Sequence, residues 1–171
     1  MQMVKNILLL VIVSWLAIIV FMPKKPLYYK VEEILSAQDI ILNEKSIEEG
    51  FFSLTLNKVK VYVKGIHVVT VEEINFFTVL FYNRLTVDEL FIDDSLKKML
   101  PQELKYAEII HSIVSPLNVT INAKGSFGFM EGSVDLGASD LRLDFNESKK
   151  IEMIKSQLKK DEKGWYYETS F

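Results

Sequence analysis

Histidines and adjacent carboxylates are the side chains of this chain that could do acid–base or metal chemistry. There are two histidines, His67 and His111, and no cysteine. Without cysteine there is no disulfide, thiol nucleophile, iron–sulfur cluster or cysteine-type zinc site. Two histidines cannot build a histidine-rich metal centre. His67 sits in a valine-rich run and His111 in an apolar stretch, and neither has a second His close by. Both read as structural residues rather than bases or ligands. Asp93-Asp94 and Glu72-Glu73 are neighbours in sequence, whereas the carboxyl pair of a glycosidase flanks a cleft from separate elements. Asp135, Asp140 and Asp144 lack the spacing of a calcium loop and read as the outer face of strands. Lys149, Lys150, Lys155, Lys159, Lys160 and Lys163 alternate with Glu147, Glu152, Asp161 and Glu162, which makes a solvated face rather than a lipid-binding one. No phosphate loop, dinucleotide fingerprint, nucleophile elbow or zinc motif is present. The sequence predicts no catalytic residue, no cofactor and no metal site. A membrane-tethered enzyme is the weakest of the functional classes.

The aromatic group Phe76, Phe77, Phe81 and Tyr82 points elsewhere. On a strand, Phe76 and Phe77 face opposite sides. One of those sides then carries apolar surface, either as a groove or partner surface or beneath a covering helix.

The elements that position these residues begin with an apolar N-terminus. Met3–Met22 is 20 residues, about 30 Å as helix and equal to a bilayer's hydrocarbon core. The residues expected to anchor it are Ile7, Leu8, Leu9, Leu10, Val11, Ile12, Val13, Trp15, Leu16, Ile18, Ile19, Val20 and Phe21. The exit, Pro23-Lys24-Lys25, has no small-x-small cleavage pair, so the segment reads as a retained single-pass anchor. The expected organisation is a tail and anchor over 1–25 and one domain over 26–171. From Leu27 onward the chain carries 17 basic and 23 acidic residues, a net charge of -6. An acidic domain without a basic stripe argues against nucleic acid and against electrostatic docking on anionic lipid. Lysines lie on both sides of the apolar segment, at Lys5 and at Lys24, Lys25 and Lys30, so charge leaves the orientation open.

Leu27, Val31, Ile34 and Leu35 recur at helical spacing, which predicts a short amphipathic helix over 27–37. The period then becomes two. Phe52, Leu54 and Leu56 alternate with polar residues, as do Val59, Val61 and Val63, and the phase slips at Asn57-Lys58. That slip predicts a bulge or a bend. Further strands are expected over 66–71, 73–81, 85–92, 117–123, 126–136, 139–146 and 165–171. Helical pieces are expected over 95–100 and 147–161, and 103–114 fits a helix or a strand. The fold class this gives is α+β: a transmembrane helix, then a curved, mostly antiparallel sheet of seven or eight strands with two or three flanking helices.

The pattern 54–63 (LTLNKVKVYV), 66–76 (IHVVTVEEINF) and 119–145 (VTINAKGSFGFMEGSVDLGASDLRLDF) resembles the type II secretion system protein N family. It is also similar to the wider AsmA-like group of inner-membrane-anchored periplasmic proteins. The resemblance implies a curved sheet on the periplasmic face of the inner membrane, with no catalytic residues. The implied role is an accessory part of a secretion assembly, its partners being the bilayer and envelope proteins. A second resemblance, to LptC-like lipopolysaccharide transport components, implies a sheet that holds lipid acyl chains.

Overall fold

The computed structural model describes residues 2–21, 23–79, 81–94, 96, 103–146, 151, 155–162 and 164–171, with only the backbone at 19 and 21. Two α-helices come first among the described residues, α1 (Gln2–Phe21) and α2 (Lys24–Ser36). Eleven strands follow: β1 (Ile40–Asn43), β2 (Ser46–Glu49), β3 (Ser53–Val63), β4 (Ile66–Val79), β5 (Tyr82–Ile92), β6 (Glu103–Ser112), β7 (Asn118–Gly125), β8 (Gly128–Asp135), β9 (Asp140–Phe145), β10 (Lys159–Lys160) and β11 (Trp165–Ser170). They form one sheet in the order β1-β3-β4-β5-β6-β7-β8-β9-β11-β10, with β2 also on β3. Each pairing is antiparallel. Short connections between neighbours make this arrangement the natural one.

The alternation of the sequence becomes two faces. One row across the sheet reads Leu56, Ile74, Val87, Ala107, Ala123, Met130, Phe145 and Trp165. Its neighbours on the other face read Thr55, Asn75, Thr86, Glu108, Asn122, Glu131 and Asp144. The sheet is apolar on one side and polar on the other.

A line of irregularities crosses β3 to β7. Lys58 and Glu89 both hold a positive φ, at 52° and 50°. The ladder passes from Asn57↔Glu73 to Val59↔Val71 and from Glu73↔Asp88 to Val71↔Leu90, leaving out Lys58, Glu72 and Glu89. A bulge between Leu104 and Tyr106 continues the line against β7. The bulge bends its strand and increases its twist, whereas at Lys58 and Glu89 the register is kept and the left-handed backbone turns the strand. The slip expected at Asn57-Lys58 is the first step of this line.

Two cores form on the apolar face. The first packs Tyr28 of α2 with Leu54, Leu56, Val59 and Val71. The second packs Ala123, Phe127, Phe145 and Ile151.

Several expectations are corrected. The fold is a largely antiparallel sheet of eleven strands rather than an α+β domain with seven or eight. The segment 103–114 supplies strand β6. Its helical look came from Leu104 and Ala107, three apart yet on one face because the bulge between them shifts the alternation. In 147–161, Ile151 is buried, Lys155–Gln157 is a single 3-10 turn and Lys159–Lys160 is a strand. Leu158 and Asp161 are in neither helix nor strand, and 147–150, 152–154 and most of 95–100, expected as helix, lie outside the described residues. β1, β2 and β10 were not expected from the sequence, and at two to four residues they are too short for alternation to register.

The single-pass anchor is also corrected. Among the described residues, no helix is long and apolar enough to cross a membrane. α1 opens on Gln2, Lys5 and Asn6, and its uncharged run beyond them, Ile7–Phe21, is 15 residues. That run rises about 22 Å, short of a hydrocarbon core of roughly 30 Å. A single-pass inner-membrane location is therefore not supported.

Candidate functional site

Among the described residues the two cores share no member and abut at one pair. Val87 of β5 packs with the first, and its cross-strand neighbour Ala107 of β6 packs with the second. Beside this seam runs a second apolar row in register: Leu54, Phe76, Leu85, Ile109, Ile121, Gly132 and Leu143. Its end members, Leu54 and Leu143, each join a core. The four in the middle, Phe76, Leu85, Ile109 and Ile121, belong to neither. Phe76 is 41% exposed and the other three are half-buried. These four lie on adjacent strands, β4 to β7, and form an apolar floor about 14 Å wide.

The floor has a polar border. Two residues further along the same face stand Thr78, Asn83 and His111, in register on β4, β5 and β6. The Thr78 hydroxyl donates to Asn83 Oδ1 at 2.6 Å. His111 donates from Nε2 to the Pro116 carbonyl at 3.0 Å. On one side the floor adjoins the core under α2, and on the other the core around Ile151.

The four aromatic residues singled out from the sequence are not brought together. Phe76 faces the floor, while Phe77 and Tyr82 lie on the polar face with their rings 6.5 Å apart. Arg84 lies over Phe77 at 5.7 Å. Phe81 sits on the β4–β5 turn, its ring 5.8 Å from that of Trp15 in α1. The residues expected to anchor the chain are on α1, where Ile7, Leu8, Leu9, Leu10, Val11, Ile12, Val13, Trp15 and Ile18 are exposed. Leu16 and Val20 are half-buried, and Ile19 and Phe21 belong to the same helix. Leu85, Ile109 and Ile121 were not singled out from the sequence. Only the register joins them to Phe76, and a lone strand does not reveal its register.

The polar candidates are engaged in packing. His67 Nδ1 lies 3.0 Å from Asp93 Oδ2, its Nε2 lies 3.0 Å from Thr70 Oγ1, and the Tyr62 ring is beside it. Arg142 donates to Asp144 and to Asp161, the latter at 2.6 Å, and stacks 4.2 Å over Tyr166. These hydrogen bonds hold its pKa above the ordinary guanidinium range. The arrangement pins the β10 approach to the polar face. Asp135 Oδ1 accepts from the Gly137 and Ala138 amides and closes a turn. A cleft of about 260 Å³ lined by Glu89, Phe91, Glu103, Leu104 and Lys105 opens where the bulge line crosses β5 and β6. Among the described residues no group of three or more His, Asp or Glu could hold a metal ion.

No family model, no curated protein and no solved structure matches this chain.

Proposed function

We propose that this protein holds the acyl chains of a lipid against the apolar floor and carries out no catalysis itself. The floor is the observation that supports the reading. Phe76, Leu85, Ile109 and Ile121 are adjacent, only partly covered and without a hydrogen-bonding side chain among them. Covering such surface is favourable by about 25 cal/mol per Å². A flexible apolar chain can lie along such a row without a specific polar partner. The border of Thr78, Asn83 and His111 offers polar groups where a chain would meet its head group. A role in lipid transport across an envelope fits this reading best among those the sequence raised.

The test is binding of a fluorescent fatty acid to delipidated protein. Saturable binding is expected, with Ile121→Asp abolishing it and Asn75→Asp, on the polar face, leaving it intact. Absence of saturable binding, or equal loss in both variants, overturns the reading.

A second reading, an accessory protein that takes a partner strand, has its own support. β10 spans only two residues, opposite Trp165 and Tyr166. The outer side of Tyr167–Ser170 has no strand among the described residues, and such an edge can be extended by another chain. A stoichiometric protein partner co-purifying without lipid would favour it over acyl binding.

A further inference from the structure

The two ends of the sheet differ in kind. At one end the connections carry exposed apolar residues: Phe51 (76% exposed) after β2, Phe81 (50%) after β4, Val114 (89%) and Leu117 (57%) after β6, and Leu136 (46%) after β8. Backbone hydrogen bonds lock neighbouring tips together, from Thr78 to Phe52, Ile113 to Phe81 and Leu136 to Leu117. The tips thus form a fixed row about 25 Å long. At the opposite end the described connections carry Lys64-Gly65, Asp93-Asp94 and Ser126, and their apolar residues Leu96 and Phe127 are half-buried and buried, which leaves Ile66 beside them as the exposed one.

We infer that the row of apolar tips is a contact surface for a lipid bilayer, set end-on to the sheet. Two observations choose lipid over a protein partner. The tips are separate wedges divided by Gly50, Ser115, Pro116 and Gly137, which a fluid apolar layer fits without a matching groove. And α1 meets this same end through Trp15 on Phe81, while α2, which follows it, begins there with the Lys24 amide donating to Glu49 Oε1 at 2.8 Å. α1 is exposed and apolar around its circumference, with Ile7, Leu9, Val11, Val13, Trp15 and Ile18 between 44% and 65% exposed. A protein face covers one stripe of such a helix, whereas lipid covers every side. Trp15 and Phe81 pair at this end, and such aromatic residues suit a membrane–water boundary. The contact calls for α1 and the tips to enter the near leaflet and not for a crossing, since among the described residues no helix is long and apolar enough to span a membrane. It rests on the tips and on α1, independently of acyl binding on the floor.

The chain has no cysteine, so a single introduced thiol can be labelled alone. Val114→Cys and, at the other end, Lys64→Cys each receive an environment-sensitive dye. With neutral phosphatidylcholine vesicles, the dye at position 114 is expected to shift to the blue and to gain at least fivefold protection from iodide. The dye at 64 is expected to do neither. Binding is expected to persist at high salt, since no basic patch drives it. Phe51→Asp with Leu117→Asp in the full chain is expected to weaken vesicle binding by at least tenfold. Equal accessibility of the two dyes in vesicles, or unchanged binding by the double variant, overturns the proposal. Protection at 114 that arises without vesicles, together with a dimer in sedimentation, overturns it in favour of a second copy of the chain.

Discussion

Val87 and Ala107 stand opposite each other on β5 and β6, yet each packs into a different core. One sheet therefore carries two separately packed apolar clusters, with a seam at that pair. Ala107 is half-buried, and its methyl group leaves the seam shallow beside the floor.

A larger side chain should fill the seam. Ala107→Leu is expected to raise unfolding stability in urea by about 1 kcal/mol, because new apolar surface is covered on both flanks. The same change should weaken binding of a fatty-acid probe by crowding the floor. If the seam were already closely packed, the substitution would instead destabilise by about 1–3 kcal/mol. Urea unfolding curves and a probe titration of the same variant decide the matter.

Two separate cores should lose stability independently. Val59 is 0% exposed in the first and Ile151 is 1% exposed in the second. Val59→Ala is expected to cost about 2 kcal/mol and Ile151→Ala about 3 kcal/mol. The double variant should lose the sum of these to within about 0.5 kcal/mol, since the two share no packing partner. A coupling energy above about 1 kcal/mol would mean that the seam transmits packing.

The strands of this sheet were legible where apolar and polar residues alternate without interruption, as in 117–123 and 139–146. The bend was legible too, since Val59 repeats the phase of Leu56 one residue late. β6 was ambiguous because its bulge gives Leu104 and Ala107 a helical spacing. α2 forms close to its expected place, but its orientation was not readable. Leu27, Val31 and Ile34 remain about half exposed. Lys24, Tyr28, Glu32 and Leu35 turn towards the sheet instead. The amide of Lys24 and the hydroxyl of Tyr28 reach Glu49 and Glu44, and these hydrogen bonds set the roll of the helix. The floor was beyond reach, because it is made by register among four strands and by partial cover among the described residues. Phe76 alone marked it in the sequence.

The bond that orients α2 also predicts a pH dependence. Tyr28 donates to Glu44 Oε2 at 2.8 Å, and its ring is 8% exposed. Burial first, and then the bond to Glu44 and its charge, hold the Tyr28 pKa well above the ordinary tyrosine value. Tyr106, partly desolvated beside Glu108, shifts in the same direction. A group that keeps its proton more tightly when folded adds stability that is complete below its unfolded pKa, about 10 for tyrosine. That stability is lost as the pH rises above this value towards the folded pKa. Unfolding free energy should therefore fall from about pH 10 upward, and Tyr28→Phe should flatten the fall. At pH 7 the same variant should cost roughly 1 kcal/mol, as Glu44 loses its donor. Urea titrations of both proteins at pH 7 and above pH 10 give the comparison. An equal alkaline slope in the variant would remove Tyr28 as its cause.

The line of irregularities gives a prediction in which two rules oppose each other. Lys58 lies within β3, and strand preference alone favours a β-branched residue there over lysine. Its φ of 52° reverses that expectation. In the left-handed region an L-residue costs about 1–2 kcal/mol, and a β-branched side chain is the worst choice. Lys58→Val should destabilise by about 1–2 kcal/mol, although it adds a strand-former to a strand. Lys58→Gly relieves the strain but loses more chain entropy on folding, by roughly 0.5–1 kcal/mol, so it should be neutral to slightly stabilising. The ion pair of Lys58 with Glu72, 3.9 Å apart and well exposed, contributes little to either comparison. The order glycine at least as stable as lysine, and both above valine, is what a backbone fixed by the bend requires. If valine proves the most stable of the three, the backbone at Lys58 is free to straighten, and the bend must be held by Glu89 and the bulge in β6 instead.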